Sequence, residues 1–394
     1  MKYRSFRLSA AVIAALAVYS APAAARDVRM QERYNVGEYI EVGKTDPYRL
    51  RPHASPRPLT RRSPDEMSAG DRAAVAAAEA YLEKYPETTG FLLVDRGRIV
   101  FDGYQGMGGP AREFYGMSIG KSLTSLAVGR ALCAGALPGL DVAAGTYVPE
   151  MAGSNFGKST VRQLLTMSSG AYWSKGKAGG QPDFGGKLLG KYAGVTWPMR
   201  LGKLTVEEML WGWIWAETRD RDIHGPGERF IYKSGDTLAL AKTVERATGT
   251  RLAAYFDQTV WRSVRAAHIA HWESDSTGSA LAHAGFQARL ADWGRLAVWL
   301  LDERAKPGCY GDYLRAATVP QITTGSGAFR SYGYQWWTGH KRAPGFWGLG
   351  YAGQAFGMDP DSGKVMVKFG YAKYGRTAGD LFRIFQDWVA SGKP

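Results

Sequence analysis

The sequence predicts an α+β fold: an antiparallel sheet flanked by helices, with an inserted, mainly helical subdomain. Three observations predict it. Phe91-Leu92-Leu93-Val94 and Arg98-Ile99-Val100-Phe101 flank the tight turn Asp95-Arg96-Gly97, the pattern of a hairpin. The far end mirrors it, with apolar runs over 355–358 and 364–369 around Asp359-Pro360-Asp361-Ser362-Gly363, then a helix placing Leu381, Ile384, Phe385, Trp388 and Val389 on one face. Between these ends, short helices start at Thr160, Thr205 and Asp236, among loops rich in Gly, Lys and Trp. One sheet built from both ends then encloses a helical middle, and a site belongs in the cleft between the two parts.

The elements follow in order. Residues 1–25 carry Lys2, Arg4 and Arg7, an apolar run over 8–19 and Ala23-Ala24-Ala25, which is the pattern of a secretory signal peptide cleaved near Ala25-Arg26. Its apolar run is too short to span a bilayer and no later segment is long enough, so the expected location is the periplasm or outside the cell. Losing those three basic residues lowers the formal charge from +14 to +11. Residues 26–67, rich in Pro, Arg and Tyr without a period, form an N-terminal extension expected to be an extended arm or lid. A capped helix starts at Ser68, with Asp71 three residues on, and reaches Leu82. Residues 68–394 make one domain without internal repeats, its sheet part over 68–117 and 275–394 and its helical part over 118–274.

Composition excludes several classes. The basic residues are scattered, and the densest cluster, Arg57, Arg61 and Arg62, is the size of a solvated tail, so no nucleic-acid partner is expected. The six histidines are spread widely and no Cys/His spacing suggests a metal. Cys133 and Cys309 could pair in an oxidising compartment, but Cys133 follows a helical apolar pattern that favours a small buried hydrophobe.

Chemistry concentrates at Ser118-Ile119-Gly120-Lys121. Leu123, Leu126, Ala127, Ala131 and Leu132 recur at helical spacing, so Ser118 and Lys121 share one helix face. A hydroxyl needs a base to become a nucleophile, and a desolvated lysine can serve. Two overlapping motifs fail. Gly116-Met117-Ser118-Ile119-Gly120 matches a nucleophile elbow, but Ala111-Arg112-Glu113-Phe114-Tyr115 is not the buried apolar strand the elbow needs. Gly120-Lys121-Ser122 and Gly157-Lys158-Ser159 lack the upstream glycine of a phosphate loop, having Tyr115 and Ala152 there.

Three further segments complete a pattern: Thr166-Met167-Ser168-Ser169-Gly170, Tyr232-Lys233-Ser234 ahead of a helix and on a short strand, and the small-residue strand Gly348-Leu349-Gly350-Tyr351-Ala352-Gly353-Gln354. With Ser118 and Lys121, in this order from Ser68 onward, they resemble the penicillin-recognising serine hydrolases. That family includes class C β-lactamases, related esterases and the nylon-oligomer (6-aminohexanoate-dimer) hydrolases, and the motifs here are most similar to the last. The resemblance implies a β-lactamase/transpeptidase-like fold. It implies Ser118 as the acylated nucleophile, Lys121 as its base, Tyr232 as the second acid/base, and the backbone N–H groups of Ser118 and Tyr351 as an oxyanion hole. Ser234 stands where many relatives have Asn, and Gly348, Leu349 and Gly350 stand where β-lactam binders have Lys-Thr/Ser-Gly. Ser234, His283, Trp173 and Gln354 become candidate substrate-binding residues, with Asp183 and the loop 176–191 lining or covering the cleft.

The expected activity is hydrolysis of a small amide or ester through an acyl-enzyme, with no metal or organic cofactor and a small-molecule substrate as the partner. The alternatives are a β-lactamase or D-amino-acid peptidase acting on cell-wall fragments, and a catalytically silent relative that only binds a ligand.

Overall fold

The computed structural model describes residues 46–171, 205–210, 224–325, 327–371 and 377–392. The predicted signal segment, Trp173, Asp183 and the loop 176–191 lie outside the described residues. The frame is an eight-stranded antiparallel sheet in the order β3-β2-β12-β11-β10-β9-β8-β7. Its first two strands in sequence are β2 (Thr88–Asp95) and β3 (Arg98–Tyr104). The rest are β7 (Ile322–Thr323), β8 (Phe329–Tyr332), β9 (Trp337–His340), β10 (Phe346–Gly350), β11 (Gln354–Asp359) and β12 (Lys364–Gly370). The hairpins expected at the two ends of the chain meet where β2 pairs with β12, with Leu92 opposite Val367.

Both faces of this sheet are covered, which explains why β2 reads as a continuous apolar run. Helices α1 (Ala69–Lys84) and α8 (Ala378–Ala390) bury Tyr81, Phe385 and Trp388 against Phe91, Leu93 and Met366. On the other side, helices α2 (Ile119–Cys133) and α6 (Leu290–Ala305) bury Ile119 and Trp293 against Leu92, Val94 and Phe356. Helix α1 begins with the expected capping box, Asp71 N–H donating to Ser68 Oγ at 3.0 Å. Asp71 also accepts from the Trp388 indole at 2.9 Å and pairs with Arg62 at 2.6 Å. Burial pushes the Asp71 carboxyl up, but the indole, Ser68 and Arg62 together hold it below the usual carboxylate range.

The single sheet expected from the sequence is in fact two. A second sheet runs β1-β5-β6-β4, from β1 (Tyr48–Leu50), β4 (Glu113–Tyr115), β5 (Ala270–Trp272) and β6 (Phe286–Arg289). These strands have three or four residues, too few to show a period of two, and β5 interrupts the span 118–274 expected to be helical. Against the expectation that residues 111–115 form no buried strand, β4 is a buried strand leading into the serine, with Phe114 and Tyr115 inaccessible.

The described part of the extension is an extended arm bonded to the body of the molecule. After β1 it runs as a strap, with His53 N–H donating to Ala266 O at 2.9 Å and Ile99 N–H donating to Thr60 O at 2.8 Å. Arg62 bridges Asp71 and Asp95, and these contacts tie the segment to β3 and α1.

Within the helical part, Thr160 caps α3 (Val161–Leu165) as expected, and Thr205 caps a helical turn over 206–210. Helices α4 (Ser234–Thr248) and α5 (Leu252–Phe256) follow. Helix α4 starts two residues ahead of Asp236, and residues 229–233, expected as a short strand, have no regular structure. They are held by isolated bonds instead, Ile231 N–H donating to Met167 O at 2.8 Å. Among the described residues no helix is long and apolar enough to cross a membrane.

Cys133, the last residue of α2, forms a disulfide with Cys309, the first residue of α7 (Cys309–Ala317). The preference for a small buried hydrophobe at Cys133 is therefore corrected. A separation of 176 residues carries no sequence signal for pairing. The bond closes a loop over 133–309 that takes in the helical part beyond α2, and removing it with Cys133→Ser/Cys309→Ser should cost about 2–5 kcal/mol of stability. Urea unfolding of oxidised protein and the double variant checks this, and equal midpoints would refute it.

Candidate active site

Ser118 stands at the junction of β4 and α2. The turn into the helix is tight, and Met117 takes a left-handed backbone with φ of 49°, unusual for a side chain of that size. Ser118 occupies the position where a serine ordinarily caps a helix, yet it makes no capping bond. Its hydroxyl is instead 3.0 Å from Lys121 Nζ, one turn along the helix.

Lys121 is 1 % exposed. Its Nζ also donates to His283 O at 3.0 Å. The close approach of the 282–284 loop depends on Gly120, where a Cβ would fall 2.9 Å from Ala284 N and 3.0 Å from Ala282 O. Burial pushes the ammonium down to about 7, so near neutral pH much of Lys121 is a free amine. A neutral amine can keep its bond to the His283 carbonyl and accept the Ser118 proton with its lone pair.

Tyr232 reaches the same place from residues 229–233. Its ring lies 5.2 Å from Lys121 Nζ and packs between Trp337 at 5.2 Å and Tyr332 at 6.2 Å, centroid to centroid. The structure thus brings Ser118 and Lys121, on one helix turn, together with Tyr232 from a segment more than a hundred residues away. Strand β10 closes another side: a Cβ on Gly350 would fall 2.5 Å from Gly116 O, so only glycine lets this strand end approach the serine turn. Tyr351, next in sequence, begins a turn over Tyr351–Gly353, with its side chain 61 % exposed.

The other candidates fare differently. Ser234 is half-buried at the start of α4. His283 has a buried side chain, and it is its carbonyl that meets Lys121. Gln354 is buried and its amide bonds main chain, donating to Tyr351 O at 2.9 Å and to Gly370 O at 2.6 Å and accepting from Gly370 N–H at 3.0 Å. It therefore shapes the turn carrying Tyr351. Trp173 lies outside the described residues.

One pair was missed by sequence reasoning. Lys233 and Asp236, both fully buried, are 3.7 Å apart directly behind Tyr232, and Ser169 Oγ donates to Asp236 at 2.6 Å. Burial pushes the Asp236 carboxyl up to about 6, against the pull of Lys233 and Ser169. The spacing of three was visible, but nothing in sequence said that this lysine would be buried. Among the described residues no group of three metal-ligating side chains assembles.

Residues 78–381 match the family model for beta-lactamase. The chain belongs to the beta-lactamase family and is a serine hydrolase of amide or ester bonds. It is 29 % identical over 298 residues to a 6-aminohexanoate-dimer hydrolase of Paenarthrobacter ureafaciens, covering 71 % of this chain and 72 % of that one. A Bacillus anthracis protein provisionally named as such a hydrolase superposes with a TM-score of 0.72 at 20 % identity, covering 92 % of this chain and 94 % of that one. A D-stereospecific amidohydrolase from Streptomyces superposes with a TM-score of 0.61 at 16 % identity, covering 79 % and 98 %. The expected β-lactamase/transpeptidase-like fold is borne out.

Because a protonated Lys121 cannot accept the serine proton, kcat/KM should rise with pH by about tenfold per unit on the acid side and level off above about pH 7. A pH–rate profile on a neutral ester checks this. A flat profile between pH 5 and 8 would remove Lys121 as the base.

Proposed function

We propose that this chain is an exported serine hydrolase that cleaves a small amide or ester through an acyl-enzyme on Ser118. The carrying observation is the 3.0 Å contact between Ser118 Oγ and the buried Lys121 amine. Lys121 takes the serine proton as Oγ attacks the carbonyl carbon, and the N–H groups of Ser118 and Tyr351 hold the oxyanion. Tyr232 gives a proton to the departing amine or alcohol as the bond breaks. Water then attacks the acyl-serine, with the same groups moving protons in reverse. The hydrolase domain, 68–394, follows a leader over 1–25 and the extension over 26–67. The leader's composition and the Cys133–Cys309 disulfide both support export to an oxidising compartment.

Short linear amides and aliphatic esters are the proposed substrates, in line with the name of the Paenarthrobacter relative. The reading as a penicillin hydrolase is weaker for a physical reason. A Cβ at Gly348 would stand 3.1 Å from Ile119 Cγ2 and 3.3 Å from Ser122 Oγ, so the position matching the β-lactam-binding lysine has little room for a side chain.

Intact-mass analysis after a fluorophosphonate ester should give one adduct, absent in Ser118→Ala and in Lys121→Ala. An adduct persisting in Ser118→Ala would sink the assignment, and none in the native enzyme would favour a silent ligand-binding protein. Tyr232→Phe should lower kcat for amides by about 100-fold or more. Activated esters, whose leaving groups need no proton, should lose much less; equal losses on both would deny Tyr232 the role of acid.

A further inference from the structure

Gln335 sits in the loop between β8 and β9, is 1 % exposed, and has a left-handed backbone with φ of 67°. A buried side chain held in that conformation marks a place where the surroundings over-determine the backbone. The loop flanks Tyr232, since Tyr332 before it and Trp337 after it both pack on that phenol.

The polar groups of Gln335 reach three helices. Its carbonyl accepts from Ser122 Oγ at 2.7 Å, on α2 and adjacent to Lys121. Its Oε1 accepts from Thr237 Oγ1 at 2.8 Å, in the first turn of α4, which begins two residues after Tyr232. Its Nε2 donates to Leu164 O and Leu165 O, both at 3.0 Å, and its N–H donates to Leu165 O at 3.0 Å. Those two carbonyls belong to the last turn of α3, where the helix leaves carbonyls to be met by groups from outside it.

We propose that Gln335 is a positioning residue that fixes the separation between the helix bearing Ser118 and Lys121 and the start of α4, which follows Tyr232 directly in the chain. The proposal rests on the catalytic reading above. The base and the second acid/base sit on segments separated by more than a hundred residues, and Gln335 is hydrogen-bonded to both helices. Proton transfer is steeply sensitive to such geometry, and a misplacement of about 1 Å can cost about 100-fold in rate.

Gln335→Met keeps the side-chain volume and the main-chain bonds but removes every amide bond. Thr237→Val removes one of them and Thr237→Ser restores it. Rates are divided by the fraction of molecules that take up the fluorophosphonate, and melting temperatures are recorded alongside. The expected result is a fall in kcat per labelled site of about 10–100-fold for Gln335→Met. KM should stay within about threefold, and the acid limb of the pH profile should move as Lys121 shifts. Thr237→Val should lose several-fold, with Thr237→Ser at the native value. Lower melting temperatures with native kcat per labelled site and an unmoved limb would overturn the proposal, leaving Gln335 a packing residue. If Gln335→Met fails to fold, native kcat in Thr237→Val overturns it equally. Failure of the catalytic reading shows separately, as an adduct that persists in Ser118→Ala.

Discussion

A lysine amine held dry against a hydroxyl is the constraint on which the rest of this molecule depends. Lys121 can act as a base near neutral pH only while water is kept from its Nζ, because hydration would return the ammonium to its ordinary basicity. Burial alone would leave a polar group unsatisfied, and the fold answers with two partners, Ser118 Oγ and His283 O. Both demand close packing. Gly120 admits the 282–284 loop, and Thr124 Oγ1, donating to Ala282 O at 3.0 Å, keeps it against the helix.

The sheets and the helical part divide the work around that amine. The small sheet delivers Ser118 through β4, and the large sheet brings the end of β10 against Gly116, so the two sheets meet at the serine turn. The helical part contributes Tyr232 on irregular backbone, which packing must hold because no ladder of hydrogen bonds does. Aromatic rings supply that packing, and Gln335 ties the neighbouring helices behind them. At its far end α2 is fixed covalently to α7 by the disulfide. The helix carrying both Ser118 and Lys121 is therefore anchored at each end.

Charge is buried here for position as much as for stability. Lys233 and Asp236 stand behind Tyr232 with Ser169 as a further partner, and a buried pair of this kind returns little net stability against its desolvation cost. What it fixes is the exit of the irregular segment into α4. Arg62 plays a comparable part at the back of the large sheet, where its bonds to Asp71 and Asp95 hold the strap in place.

Sequence alone determined what local periodicity and spacing can carry. The hairpins, the capped helix at Ser68, the terminal amphipathic helix and the pairing of Ser118 with Lys121 on one helical turn are all short-range patterns, each set by residues a few positions apart. The order of motifs added Tyr232, whose partners lie far away in the chain. Tertiary structure decided the rest. Short strands such as β1 and β5 have too few residues for a period, so only pairing defines them, and with them the second sheet. The bonds of the Gln354 amide to Gly370 and Tyr351 likewise join strands and turns that no local pattern connects. The Cys133–Cys309 bond, the burial of Lys233 and the junction at Gln335 each join residues that are remote in sequence. Such contacts depend on how whole elements pack, and a chain read residue by residue holds no local trace of them.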